Sequence, residues 1–317
     1  MLPRLGNLMH VIHHGALNGV TGSCHQLVIN EKRSLLIDCG LFQGSDAKGR
    51  DEEQIDFPLD GIQGLIVTHV HLDHVGRIPY LIAAGFNGPI YCSPPTAKLL
   101  PLMMEDAMRV GITRNKRLIE RFLHDLRKYI RPLPFARWQK LDGGIEMRLT
   151  PAGHVLGSAI VELDYEGERF VFSGDLGSRH QPILKEPVSP ERAAYLVLES
   201  TYGDRNHVGR EERVQQLENV LCHTLENKGV TIIPAFSVGR TQELLYEMNL
   251  IFERLSDTTG CSMLHAVDVI IDSPLAQRFT EIYDSLRNYW DDEAKQILEY
   301  DSQPLVFENL VQIDNHP

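Results

Sequence analysis

The 317-residue sequence has no apolar run near the ~20 residues that a membrane-spanning helix requires, and its start, MLPRLGNLMH, lacks the charged and apolar blocks of a secretory signal. No membrane partner is expected, and cytoplasmic residence is the default. Cysteine is sparse as well. Cys24, Cys39, Cys92, Cys222 and Cys261 are odd in number, scattered and form no CxxC pair, which argues against a disulfide framework or zinc ribbon and predicts reduced, mostly buried thiols. Positive charge is short too. A net charge of −12 speaks at first sight against a polyanionic partner, because phosphates are held by Lys and Arg. Metal-site carboxylates would be neutralised by their cations, however, and the basic residues are unevenly placed. Between Arg114 and Lys140, nine Lys or Arg stand against two acids, Glu120 and Asp125. Such a run is either a solvated helical face or a surface that tracks phosphates.

What the chain does have is an ordinary apolar content of 43% and enough length for two domains. Its chemistry concentrates in GLIVTHVHLDHVGR, from Gly64 to Arg77. Leu65, Ile66 and Val67 read as a buried strand, and His69, His71, Asp73 and His74 follow within six residues. Continued strand geometry would point His69 and His71 the same way. Asp73 and His74, on the loop entering a helix, would then serve a neighbouring position, so two metals are expected. Imidazole with carboxylate suits zinc, with manganese or iron as competitors.

Further polar residues end apolar runs elsewhere. Asp38 closes Leu35 to Ile37, His154 lies on a Gly-flanked loop between two alternating runs, Asp175 follows Phe170 to Phe172, and Glu199 ends AAYLVLE. Each alone could merely satisfy a turn. From His10 to Gly40 the pattern is short strands with a turn at Asn30 to Lys32; helices are read over Gly76 to Ala84, Pro95 to Val110 and Arg114 to Arg131. After Asn206 the pattern changes to helix alternating with strand. Helices are expected at Glu211 to Asn227, Arg240 to Leu255 and Ser273 to Leu286, with strands at Val230 to Ile233, Val267 to Ile271 and Leu305 to Val311. That alternation implies a helix-flanked parallel sheet.

HxHxDH after an apolar strand resembles the signature of the metallo-β-lactamase fold, and ESTYGD, PAFSVGRTQELL and DSPLA resemble segments of its β-CASP branch of RNA- and DNA-processing nucleases. The resemblance implies an α/β chain: a metallo-β-lactamase αββα sandwich, incomplete at its C-terminal end, over 1–206, and part of a β-CASP cap over 207–317. It further implies that His69, His71 and His154 hold one zinc, that Asp73 and His74 hold a second, and that Asp175 bridges them. Two Zn2+ are thus expected, with Mn2+ as the alternative. Metals ~3.5 to 4 Å apart activate water for in-line attack on a phosphodiester. Asp38 would orient the ligands, Glu199 would serve the active site, and Arg240, near the cleft, would contact phosphate.

The implied function is zinc-dependent hydrolysis of RNA, endonucleolytic or 5′-exonucleolytic, on single-stranded RNA, in a homodimer or an RNA-processing complex. A DNA nuclease and a non-catalytic nucleic-acid-binding subunit are the alternatives. Family members carry two further histidines beyond the cap, one a metal ligand and one a general acid. His207, His223, His265 and His316 do not lie in segments like those, and the sequence reaches Pro317 inside the cap, so a fragment of weak or no activity is expected.

Overall fold

The computed structural model describes residues 9–50, 54–206, 212–256 and 267–313. By contact the chain divides into two compact units. The first comprises residues 1–153, 157–177 and 187–201, and the second comprises 154–156, 178–186 and 202–317.

The first unit is built on two sheets. One takes β1 (His10–His13), β2 (His25–Asn30), β3 (Arg33–Ile37), β4 (Ile62–Ile66), β5 (Ile90–Cys92) and β6 (Ile130–Pro132) in chain order. β1 to β3 are antiparallel, and β3 to β6 are parallel. Parallel neighbours need crossovers, and α-helices supply those that follow β4 and β5. α1 (Leu72–Val75) and α2 (Ile78–Ala83) lead from β4 to β5, and α3 (Pro94–Ala107) and α4 (Lys116–Tyr129) lead from β5 to β6. Strands covered on both faces read as unbroken apolar runs. Leu35 to Ile37 and Leu65 to Val67 are accordingly all buried.

The second sheet has the order β11-β10-β9-β8-β7, formed by β7 (Gln139–Lys140), β8 (Glu146–Pro151), β9 (Ala159–Tyr165), β10 (Glu168–Phe172) and β11 (Tyr195–Val197). Leu27, Leu35, Ile37 and Ile66 of the first sheet share one core with Met147, Leu149, Val161 and Phe172 of the second. Alternation turns Glu162 away from that core. Fully buried, it takes a two-pronged hydrogen bond from Arg148, 2.9 Å on each prong. Both Arg148 and Arg169 lie over the Trp138 ring.

Several element bounds differ from expectation. Asp73 and His74 are not on a loop: helix begins already at Leu72, with His71 as its N-cap. The basic helix ends at Tyr129, and the chain continues directly as β6, the edge of the first sheet. On α4, Ile119, Leu123 and Leu126 are buried, so the charged residues occupy the outward side.

The second unit contains α5 (Arg213–Glu226), α6 (Arg240–Ser256), β12 (Val269–Ile271), α7 (Pro274–Asp284), α8 (Asp292–Ile297) and β13 (Leu310–Gln312). β12 and β13 pair in parallel. α5 and α6 pack through Leu221, Met248, Ile251 and Phe252. Residues 230–233 form no strand, and Val230 and Ile232 are nearly fully exposed. A strand exists only by pairing, and none of the pairings among the described residues includes this run. The expected thiols are found at Cys24, Cys39 and Cys92, free and buried. Cys222 departs from expectation: it is disulfide-bonded, and Cys261 lies outside the described residues. No helix among the described residues is long and apolar enough to cross a membrane.

Candidate metal centre

The site begins where β3 and β4 end side by side. Asp38 leaves β3 with φ at 60°, in the left-handed region that Asp tolerates better than most residues. Its amide donates to Ile66 O at 2.8 Å. The buried carboxylate is then fully occupied. Oδ1 accepts from Thr68 N at 2.8 Å, and Oδ2 accepts from Thr68 Oγ1 at 2.8 Å and from Ser23 Oγ at 3.3 Å. His74 Nδ1 lies 2.7 Å from the same Oδ2.

The backbone ties these segments together further. Cys39 N donates to His74 O, Leu41 N to Leu72 O and Ser23 N to Asp73 O, at 2.8 to 2.9 Å. The approach is so close that a Cβ on Gly40 would stand 1.6 Å from Asp73 O, which no side chain allows. Across the cleft Gly174, at φ +54°, has Thr68 where its Cβ would go. His154 is carried on the loop from β8 to β9. That loop is pinned where Ser93 Oγ, the N-cap of α3, donates to Gly157 O at 2.6 Å and where Ala159 N donates to Thr68 O at 2.9 Å.

Two groups of ligand atoms result. His69, His71, His154 and Asp175 form one, and Asp73, His74 and Asp175 form the other, with atoms in each lying within 4.8 Å of one another. His74 Nε2 is 3.1 Å from Asp175 Oδ1 and 3.9 Å from Asp73 Oδ2. Burial works against a charged imidazole at His74, but the Asp38 carboxylate and then Asp175 outweigh it and hold its pKa well above the usual value. Burial raises Asp73, and the Asp175 charge adds to it against the pull of His74.

This donor set fits divalent metal. It offers only imidazole nitrogen and carboxylate oxygen, and Asp38 holds the far nitrogen of His74, the carboxylate–histidine arrangement that orients a metal ligand. The carboxylates that surround Nε2 call for positive charge, which an ion supplies as well as a proton does.

Glu199, just past β11, acts on Asp175 through the backbone. Its Oε1 accepts from Leu176 N at 2.7 Å, its Oε2 from Thr201 N at 3.4 Å, and its own amide donates to Ser173 Oγ at 3.0 Å. Arg240 opens α6 and is paired with Glu243 at 2.6 Å on its own helix. His207, His265 and His316 lie outside the described residues, and His223 sits in the last turn of α5.

Sequence reasoning missed several residues. A cleft of about 340 Å³ over Asp38, His74 and Asp175 is also lined by His13, His25 and Ser173. His13 and His25 are cross-strand partners in the β1–β2 register, their Nδ1 atoms 2.8 Å apart. Burial first, with the neighbouring histidines, pushes His25 down to about 4. Only the hairpin register, which the sequence does not show, could have paired them. Thr68 did carry a signal, as the one hydroxyl between the apolar run and His69.

Comparison with known proteins agrees with this geometry. Residues 19–217 match the Metallo-beta-lactamase superfamily and residues 241–317 match the Beta-Casp domain. The chain belongs to the metallo-beta-lactamase superfamily. Ribonuclease TTHA0252 of Thermus thermophilus is 35% identical over 90% of this chain and 63% of its own length. Transcription termination factor FttA of Methanosarcina mazei is 30% identical over 95% of this chain and 48% of its own, and Endoribonuclease ysh1 of Schizosaccharomyces pombe is 27% identical over 98% and 40%. The chain spans about half the length of these relatives.

Proposed function

We propose that this site hydrolyses RNA phosphodiester bonds with two divalent metal ions, zinc first and manganese as the alternative. One observation carries the reading: two convergent ligand groups share Asp175. The names of relatives, a ribonuclease and an endoribonuclease, support RNA as the substrate. His69, His71, His154 and Asp175 would hold one ion, and Asp73, His74 and Asp175 the other. Such ions supply Lewis acidity where negative charge grows on the phosphate.

The chain's own residues hold the ligands in place. Asp38 and Glu199 are positioning residues, Asp38 through His74 and Thr68, Glu199 through the amide that follows Asp175. Arg240 and the outward face of α4 would contact the RNA backbone, and the boundary between the two domains would fall in the sequence near Asn206. Action in the cytoplasm, as a homodimer or within an RNA-processing complex, is part of the same proposal.

The test pairs elemental analysis after zinc loading with cleavage of labelled single-stranded RNA and single-stranded DNA, with chelator controls. Two bound ions and a weak, chelator-sensitive loss of RNA are expected. Preferential cleavage of DNA, or fewer than one bound ion per chain, would overturn the reading.

A further inference from the structure

The second unit holds a cavity of its own, about 210 Å³, with apolar walls from Pro182, Leu184 and Leu250. Tyr246 also lines it. It is only 2% exposed, yet among the described residues its hydroxyl has no hydrogen-bond partner. Buried polar atoms are nearly always paired, so an unpaired phenol at a cavity wall marks a place for a ligand.

The charge around that phenol is one-sided. Glu186, Glu247, Asp291 and Glu293 line the cavity, against Arg213 and the titratable His180. Both of these are engaged. Arg213 donates to His180 O at 2.6 Å and pairs with Glu247 at 3.4 Å, while His180 Nδ1 is 3.3 Å from Glu186. Asp291 Oδ1 takes the amide of Ala294 at 2.8 Å, which occupies one of its two oxygens. Burial first, with Glu293 adding, raises both Glu247 and Asp291, as expected where carboxylates crowd without enough cation.

A small metal ion does not match this layout. Among the described residues, three or more ligand atoms converge within 4.8 Å only at the metal centre already described, so the acids here are spread. Spread carboxylates, an unpaired oxygen and apolar walls match a longer ion that carries N–H donors on methylenes. We propose that this cavity binds an alkylammonium ion of the aliphatic polyamine class, with Tyr246 Oη accepting one N–H and with Asp291 and Glu293 balancing its charge. The inference stands apart from the nuclease reading, since none of these residues belongs to the metal centre.

The probe is putrescine, titrated into the whole metal-loaded protein by calorimetry at near-physiological salt, which screens diffuse attraction to an acidic chain. Saturable one-site binding is expected. Tyr246→Phe removes only the unpaired oxygen, so the fold should be kept or slightly stabilised while affinity falls about tenfold or more, the range for a hydrogen bond to a charged donor. Glu293→Gln, on an exposed helix position, should weaken binding similarly, and Glu31→Gln, on a remote turn, should not. Asp175→Ala, which removes the shared metal ligand, should bind putrescine as before. Absence of saturable binding, equal affinity in Tyr246→Phe and Glu293→Gln, loss of binding in Asp175→Ala, or displacement by equimolar magnesium would each overturn the proposal.

Discussion

Residues 34–38 and 230–236 look alike as sequence, short apolar runs that end at turns, yet they meet opposite fates. Leu35, Leu36 and Ile37 are buried in a strand that pairs with β2 on one side and β4 on the other, whereas Val230, Ile232 and Phe236 stand largely exposed. The difference lies in neighbours. A strand is stable when its amides and carbonyls find ladders and its side chains find a second layer, and β3 has both. The consequence reaches the site, because Asp38 is held in its left-handed conformation by the ends of the very ladder that buries β3.

The change expected to disturb most is at the residue both ligand groups share. Asp175→Ala removes a carboxylate from each, and loss of even an outer partner of a ligand costs ~10- to 100-fold in metal affinity. Both ions should weaken together. Elemental analysis after dialysis checks this, and a protein that keeps two ions would show that the groups act independently.

Asp38 comes next. It is almost wholly buried, and its removal leaves Thr68 and His74 without their acceptor. Breaking a buried charged pair in this way costs ~3 to 5 kcal/mol. Asp38→Asn should recover part of the loss, because an amide oxygen still accepts from Thr68. Urea unfolding of the two variants measures it, and equal stability of Asp38→Ala and the parent would detach β3 from the metal loop. Leu36→Ala, inside the same strand, should cost ~2 to 5 kcal/mol by the cavity it leaves.

How far the sequence showed this follows from the same contrast. The candidate metal-binding residues were legible because chemistry and spacing coincide in HxHxDH, because Asp38 and Asp175 each close an apolar run, and because His154 sits on a Gly-flanked loop between two alternating runs. The sandwich was legible from runs such as Leu65 to Val67, buried on both faces. What was not legible depended on pairing across distance. His13 facing His25, Glu199 reaching the amide of Leu176, Cys222 in a disulfide, and residues 230–233 without a ladder among the described residues are all set by register or by long-range closure.

His25 offers a pH test of the hidden pairing. Its pKa falls from the usual 6.5 to about 4 on folding, chiefly through burial. A depressed imidazole adds stability that is complete above pH ~6.5 and is lost as pH falls toward ~4, since the unfolded chain takes up the proton first. At pH 5 the loss should be on the order of 2 kcal/mol relative to pH 7.5. His25→Gln should remove that part of the pH dependence. Identical pH slopes for variant and parent in denaturant unfolding would show that His25 keeps its ordinary pKa.

The smallest effect is expected where the comparison began. Val230 and Ile232 are 87% and 88% exposed, so replacing either with Ser removes little apolar surface from contact with protein. Such exposed substitutions usually fall within ±0.5 kcal/mol. The double variant Val230→Ser/Ile232→Ser should therefore unfold at nearly the parent's urea midpoint, in contrast to Leu36→Ala. It should also be more soluble, because an exposed apolar run invites pairing with another chain. A destabilisation near that of Leu36→Ala would mean that residues 230–233 do pair in solution. The contrast between the two runs would then lie in which partner each one pairs with, and no longer in burial.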